Sequence, residues 1–507
     1  LVQTPHVFLN PDPIERNLST FDKMPSENEM FYSITQRGLD KWNGAFFCGS
    51  AALLRRSALN VTGGFSGMTI TEDCETAFEL HAQGWTSIFV DKPLIAGLQP
   101  ETFSSFIGQR SRWCQGMLQI MILKNPVFKK GLSFIQRIAY LSSIICWLFP
   151  FPRLIFMFAP LAYIFFDIKF FISNIDEAFS YTTCYIIVNL MLQNYLYGRV
   201  RWPWISEVYE YVQGVYLFKA IVTVILNPRK PTFNVTAKGL TLDHNHLSEL
   251  SWPFFAIYGC LLAGSLMAAY RYIYEPGVTE LMLVVSIWNF LSLIQAGVAL
   301  GVVSERKVLD RYPRLTIDRK AMVELKGTYY PASIVDVSAG GCRLIINDKA
   351  LAENLKINQT RLRINIEPYG EIIRDECLDV IVKHFRCSND DVHIGVAFHD
   401  MSAAEYYVLA DLMFGDSDAL FRFLKSRRGG KNLFAGTLYF IWLGLSQPVR
   451  ALYYAFFTKN NNAQHTDSAT DPVPEVSGEL LRMLMQTASY HLQDDAKISR
   501  AKADKAS

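Results

Sequence analysis

The spacing of apolar and polar positions divides the chain into stretches of different period. Residues 1–130 alternate short apolar runs with turn residues: Pro5, Pro11-Asp12-Pro13, then Phe46-Phe47-Cys48-Gly49-Ser50, then Gly63-Gly64. This mixture predicts an α/β arrangement, with a buried strand through Ala45–Ala52 and helices after Thr71 and Glu101. Thr71 is placed to cap its helix, with Glu72 and Asp73 in the first turn, where acids favour a helix start.

Between 138 and 304 the apolar runs lengthen. Ala178–Gly198, Pro253–Tyr270 and Leu281–Ser304 are uncharged, and each approaches the roughly 20 residues needed to cross a hydrocarbon core. Ile138–Phe166 is apolar too, interrupted by Pro150, Pro152 and Arg153, and reads as one span after a surface segment. Tyr211–Leu226 carries Lys219 in its middle, with Glu207 and Glu210 just before it. A lysine at the centre of a crossing helix costs about 2.5–3.5 kcal/mol. That stretch is therefore expected to lie flat in the interface. The expected spans are 147–166, 178–198, 253–273 and 281–304.

From about 314 the period changes to two. Arg314–Leu325, Tyr330–Val337, Cys342–Ile346, Arg361–Ile366, Leu378–Phe385 and Val392–Phe398 are short runs rich in Val, Ile and Leu. About six evenly spaced strands predict a small closed barrel, followed by a helix at Ala403–Met413. Asp336-Val337-Ser338-Ala339-Gly340-Gly341 has ordinary hairpin-turn residues. Leu433–Leu445 is apolar but too short to span, and is expected on the membrane surface or on the soluble part. Beyond Lys459 the chain is polar, with a helical patch near Glu479–Gln493, and is otherwise expected to be disordered. The resulting layout is 1–130 α/β with an interface helix, 131–304 membrane region, 305–415 barrel, and 416–507 amphipathic helix and flexible tail.

Composition sharpens this layout. The chain has 507 residues, 50% hydrophobic and 19% charged, a balance between a soluble protein and one embedded throughout. A net charge of +2 implies no nucleic-acid polymer as partner. Nine scattered cysteines without a CxxC pair speak against a disulfide framework or zinc site. Lys124, Lys129, Lys130, Arg137, Arg199, Arg201, Arg229, Lys230, Lys238, Arg306 and Lys307 fall on one side of the expected spans, against Lys169 and Arg271 on the other. The positive-inside pattern makes the shared side cytoplasmic. The first residue is Leu, and no signal segment follows. The chain reads as the C-terminal portion of a longer protein, beginning inside a domain.

The candidate chemistry centres on Gln109-Arg110-Ser111-Arg112-Trp113. On a helix, Gln109, Arg112 and Trp113 share one face at i, i+3 and i+4. The guanidinium can fork onto a phosphate, and the indole offers a flat apolar platform to a sugar ring. Placed at the mouth of a membrane region, they suit an enzyme that uses a nucleotide-sugar and delivers polysaccharide into the bilayer. The pentapeptide alone fits an amphipathic surface helix equally well. The loop Phe233-Asn234-Val235-Thr236-Ala237-Lys238-Gly239 reads by itself as a connector with a turn at Lys238-Gly239.

The order Phe-Phe-Cys-Gly-Ser, Thr-Glu-Asp, Gln-x-x-Arg-Trp, Phe-x-Val-Thr-x-Lys-Gly and Asp-x-Ser-x-x-Gly resembles that of processive family 2 glycosyltransferases. Among these, the Phe-x-Val-Thr-x-Lys-Gly loop and a PilZ-type barrel are similar to the bacterial cellulose synthases. The resemblance implies a multidomain inner-membrane protein: the C-terminal half of a GT-A α/β domain, a transmembrane helical bundle and a six-stranded PilZ barrel. The implied reaction is inverting, processive transfer of glucose from UDP-glucose to the 4-OH of a β-1,4-glucan, with translocation of the polymer and cyclic di-GMP as activator. Asp73 would be the general base, within Thr71-Glu72-Asp73. Gln109 and Arg112 would hold the departing diphosphate, Trp113 would stack on the acceptor, and Cys48 would line the acceptor site. Phe233, Val235, Thr236 and Lys238 would form a gating loop within 228–245. A periplasmic partner subunit is also implied.

Two departures from the family pattern stand out. The early aspartates that hold uridine and Mg2+ have no counterpart here, so the Mg2+ ligands are expected upstream, and the chain alone is expected to bind UDP poorly. PilZ domains carry Arg-x-x-x-Arg before the first strand. Arg314 fits its second position, but Asp310 occupies the first. Lys307 and Arg311 have the right mutual spacing three residues early. Arg306, Lys307, Arg311 and Arg314 are the candidate cations, with Asp336, Ser338 and Gly341 matching the second motif. Cyclic di-GMP is therefore expected to bind more weakly than at a double-arginine site. The alternatives are another processive polysaccharide synthase, or a non-catalytic cyclic-dinucleotide receptor with a decayed transferase.

Overall fold

A computed structural model describes residues 1–170, 175–230, 242–275, 280–308, 313–366, 377–388, 391–428 and 432–458. The N-terminal part is mixed α/β. Val2–Gln3 pairs in parallel with Ile88–Phe89 and antiparallel with Ala52–Leu53, and His6–Phe8 pairs in parallel with Ile95–Gly97. The strand expected through Ala45–Ala52 shrinks to Ala52–Leu53. The Cys48 N–H donates to Gln3 Oε1 at 3.0 Å, and Gly49 and Ala51 adopt φ of 81° and 56°. Left-handed residues cannot continue a strand.

Helices follow Thr71 and Glu101 as expected, at Glu72–Ala82 and Phe103–Gln119. The Thr102 hydroxyl caps the second, accepting from the Ser105 N–H. Thr71 makes no such side-chain cap on the first, which corrects the capping expectation. Its side chain is packed against the second helix instead.

Among the described residues, four helices are long and apolar enough to cross a membrane: Phe134–Phe166, Trp204–Leu226, Trp252–Tyr274 and Glu280–Val302. The number agrees with the sequence reading, but the set differs. Trp204–Leu226 qualifies, although its charges argued for an interfacial position. Arg153 forms ion pairs with Glu207 and Glu210, and Lys219 lies on the exposed face. Paired charges weigh less against burial than isolated ones. This helix is also the most enclosed of the four, packed against Phe103–Gln119 and Pro150–Phe166.

The 178–198 stretch is helical but not one of the four. A π turn at Ala178–Thr183 leads into Cys184–Tyr197, where Asn189, Gln193 and Asn194 dilute the apolar run. Ile187, Val188, Met191 and Leu192 point away from the protein.

Leu433–Phe457 is one 25-residue helix, longer than the apolar run suggested. It continues across Pro448 and lies on a small-residue stripe of Glu280–Val302. A Cβ on Gly297 would stand 2.1 Å from the Gly444 carbonyl oxygen, and one on Gly301 would stand 2.6 Å from Gln447 Cγ. Gly-x-x-x-Gly spacing permits this close helix approach.

The C-terminal strands close into a six-stranded barrel: Leu315–Leu325, Thr328–Ser338, Gly341–Ile346, Arg361–Ile366, Cys377–Ser388 and Asp391–Phe398. Side chains alternate inward and outward along Leu315–Leu325, the period expected of a strand with one face on a core. Val7 and Leu9 join the barrel's core, tying it to the N-terminal part. Ala403–Phe414 follows, with a Ser402–Glu405 capping box. The next helix, Ser417–Arg427, clasps the N-terminal part: buried Arg427 pairs with Glu15 at 2.7 Å and donates to the Phe21 carbonyl at 2.7 Å. The loop with Phe233, Val235, Thr236 and Lys238, Arg311, and the polar tail all lie outside the described residues.

Candidate active site and ligand pocket

Asp73 is the second residue of the Glu72–Ala82 helix, and several bonds fix that helix. Lys124 bridges Glu75 at 3.2 Å and Glu79 at 2.9 Å, Lys129 pairs with Glu79 at 2.6 Å, and Glu75 Oε2 accepts from the Thr69 N–H at 2.8 Å. At its start Thr71 rests on Gly116, where a Cβ would come within 2.4 Å of Thr71 Cγ2. Gly116 stands one turn beyond Trp113, so the Thr-Glu-Asp triplet docks on the helix that carries Gln109, Arg112 and Trp113. On its other side Asp73 Oδ2 faces Gly49, at 3.2 Å from the position of an added Cβ. The fold thus gathers Phe-Phe-Cys-Gly-Ser, Thr-Glu-Asp and the Gln-x-x-Arg-Trp helix, three segments far apart in the chain.

The electrostatics distinguish the groups. Burial raises the Asp73 carboxyl to about 6, opposed by its Cys74 N–H bond at 2.7 Å and reinforced by Glu72. Among the described residues no cation pairs with it. A carboxylate in that state can accept a proton near neutral pH. Burial, and then the nearby Asp73 charge, push the Cys48 thiol well above its ordinary range. Cys48 stays a thiol and accepts from Gln36 Nε2 at 3.2 Å, in keeping with a lining role and not a nucleophilic one.

Gln109, Arg112 and Trp113 are half-buried. The sequence reading passed over Arg110. Its guanidinium lies 4.8 Å over the Trp113 ring and 5.0 Å over Phe106, and donates to Asn28 Oδ1 at 3.2 Å. It thereby braces the indole. Position inside the pentapeptide was the available signal.

A second cluster lies at one end of the barrel. Asp336 is only 5% exposed, and its two oxygens take Arg314 at 2.7 Å and Arg343 at 2.5 Å. Ser338 Oγ donates to the Gly341 carbonyl at 3.1 Å. A Cβ on Gly341 would stand 2.1 Å from the Val396 carbonyl oxygen, so only glycine fits there. Arg314 and Lys307 also line a cavity of about 580 Å³, together with Arg16, Phe21, Phe423 and Arg427. Arg306 turns elsewhere, its guanidinium to Ser19 and its N–H to Asn17 Oδ1 at 3.1 Å. Arg16, Arg343 and Arg427 were not singled out from the sequence. Arg343 was legible in principle, because a two-residue hairpin pairs it with Asp336.

Comparison with known proteins places these features. Residues 1–198 match the family model for Glycosyl transferase family group 2, and residues 309–415 match the PilZ domain. The cellulose synthase catalytic subunit (UDP-forming) of Pseudomonas fluorescens (strain SBW25) is 33% identical over 351 residues, covering 69% of this chain and 48% of that relative. Cellulose synthase 2 of Novacetimonas hansenii is 33% identical over 429 residues, covering 83% of this chain and 26% of the relative. Cellulose synthase 1 catalytic subunit (UDP-forming) of Komagataeibacter xylinus is 34% identical over 346 residues, covering 67% and 46%. The chain thus spans half or less of the length of these relatives.

Proposed function

The chain is a relative of the bacterial cellulose synthase catalytic subunits that joins a glycosyltransferase family group 2 segment to a PilZ domain, and from this premise we propose that it serves cellulose synthesis. The reaction is processive transfer of glucose from UDP-glucose to a β-1,4-glucan, at an inner membrane and under control by cyclic di-GMP. The observation that carries this reading is the Asp73 carboxylate, unpaired among the described residues and docked through Thr71 on the Gln-x-x-Arg-Trp helix.

In this reading Asp73 takes the proton of the acceptor 4-OH while that oxygen attacks C1 of the donor glucose. The C1–O bond to the diphosphate breaks, and the configuration at C1 inverts. Glu72 raises the basicity of Asp73, and Thr71 sets its place. Gln109 and Arg112 hold the departing UDP, Trp113 braced by Arg110 carries the terminal sugar, and Cys48 lines the acceptor site. Phe233, Val235, Thr236 and Lys238, outside the described residues, keep the gating role that the resemblance implies. The polymer leaves between the long apolar helices, with transferase segment and barrel on the cytoplasmic side and a partner subunit on the periplasmic side. The layout is 1–130 transferase, 131–304 membrane region, 305–415 barrel and 416–507, which carries the Ser417–Arg427 and Leu433–Phe457 helices. Mg2+ would neutralise the diphosphate. The described residues present no grouping of three or more His, Cys, Asp or Glu side chains fit to hold it, and no step here is routed through it.

Cyclic di-GMP occupies the end of the barrel marked by Arg314, Asp336, Ser338 and Gly341. The adjoining cavity is shared with Arg16 of the transferase segment and Arg427 of the clasping helix. A ligand there would touch regulator and enzyme together, which supplies a route for activation.

The deciding experiment gives labelled UDP-sugars to membranes holding the full-length protein. The expected product comes from UDP-glucose alone, is digested by a β-1,4-glucanase and increases with cyclic di-GMP. A polymer of another sugar would move the chain to a different synthase. Nucleotide binding without any polymer would favour a receptor.

A further inference from the structure

Gln119 belongs to none of the motifs above, yet it is fully buried at the end of the helix that carries Gln109, Arg112 and Trp113. Its carboxamide joins backbone groups of two other elements. Oε1 accepts from the Ile70 N–H at 2.9 Å, and Nε2 donates to the Pro228 carbonyl at 2.6 Å. Ile70 immediately precedes Thr71-Glu72-Asp73. Pro228 lies just beyond the Pro203–Leu226 helix, which packs along Phe103–Gln119. Gln119 also stands at i+3 from Gly116, on the face where Thr71 rests.

The Ile70 and Pro228 peptide groups are only partly buried, but the Gln119 carboxamide is fully buried, and a buried amide requires partners for its own donor and acceptor. The two peptide groups are those partners, and the planar amide fixes the distance between them. We infer that Gln119 is a positioning residue for glycosyl transfer, holding the start of the Asp73 helix through Ile70 while anchoring its own helix to the end of the Pro203–Leu226 helix through Pro228. The inference rests on the reading of Asp73 as the base.

The test is polymer synthesis by the full-length protein in membranes, as a function of UDP-glucose concentration and pH. Gln119→Met keeps the volume and loses the amide. Gln119→Glu keeps an acceptor for Ile70. For Gln119→Met we expect kcat about tenfold lower and KM within about twofold. We also expect an acid limb shifted to lower pH, because a loosened Asp73 gains water. Gln119→Glu loses the donor to Pro228, so its kcat should lie between those of the parent and Gln119→Met. The inference is overturned if Gln119→Met has the parental kcat and acid limb, if its rate merely follows its abundance, or if Gln119→Glu is no better. Should the methionine variant not reach the membrane, the glutamate variant decides: a loss smaller than about tenfold supports the Ile70 bond, and a loss of about tenfold or more overturns it. A parent protein that makes no polymer would instead overturn the transfer reading itself.

Discussion

Asp73 in the transferase segment is partly buried and Asp336 in the barrel almost fully so, and their surroundings differ. Around Asp73 burial goes uncompensated by any cation among the described residues, and the carboxyl is raised to about 6. Around Asp336 two guanidinium groups take both oxygens. The first arrangement keeps a proton acceptor available, whereas the second commits the carboxylate to holding Arg314 and Arg343 in place, each about half exposed in its side chain. On the proposed reading, the group that reacts is left unpaired, and the group that presents others is paired in advance. The supporting structure differs likewise. Asp336 and its partners come from one hairpin and the residue before the first strand, while Asp73 is set by segments reaching from Gly49 to Gly116.

Breaking the unpaired site should have the larger effect. Asp73→Asn keeps the shape and removes the base, so polymer synthesis should fall by at least about a thousandfold, measured as labelled glucan, while calorimetry with cyclic di-GMP should be unchanged. Asp336→Ala releases two arginines from a shared buried partner and should weaken cyclic di-GMP binding at least about thirtyfold. It should leave synthesis without the activator intact. If either variant damaged both readouts, the two regions would not be separable in the way proposed.

The pH dependence sharpens the same contrast. Protonation removes the base, and burial has raised the carboxyl, so synthesis should lose half its rate near pH 6 and about tenfold per unit below that. A limb near pH 4 would mean that Asp73 is hydrated in the working enzyme. The sign for folding is opposite: a raised carboxyl contributes least to stability above pH 6, so the loss of rate on acidification is not a loss of fold at this residue.

The same two regions explain what the sequence disclosed. The barrel was legible because alternation is local: all six strands lie close to their expected places, and the Ala339-Gly340 turn sets its register. The long helices were less so, because their burdens are relieved from afar. Arg153 pairs with both Glu207 and Glu210, and Gly297 gives the Leu433–Phe457 helix a close seat at Gly444 and Pro448. At the candidate site the motif residues stood out by type and order. Arg110 and Gln119 did not, since an arginine on an indole or a glutamine bonded to distant peptide groups leaves no pattern along the chain.

The subtlest expected effect concerns Gly116. Alanine is the better helix former by about 1 kcal/mol, but its Cβ would meet Thr71 at 2.4 Å from Cγ2 and 2.5 Å from Oγ1. Crowding of this kind costs about 1–3 kcal/mol, so the two terms largely cancel in stability, and Tm of the purified protein should move by only a few degrees, roughly. They do not cancel in geometry. The clash is relieved by lifting Thr71, and with it Asp73, off the Gln-x-x-Arg-Trp helix. Synthesis by Gly116→Ala should therefore fall about three- to tenfold with KM for UDP-glucose little changed. Thr71→Ser, which removes the methyl at the closest contact, should recover part of that loss in the double variant. A Gly116→Ala enzyme with an unchanged rate would mean that the contact does not set the position of Asp73, and the difference drawn between a site assembled from distant segments and one built on a hairpin would lose its main support.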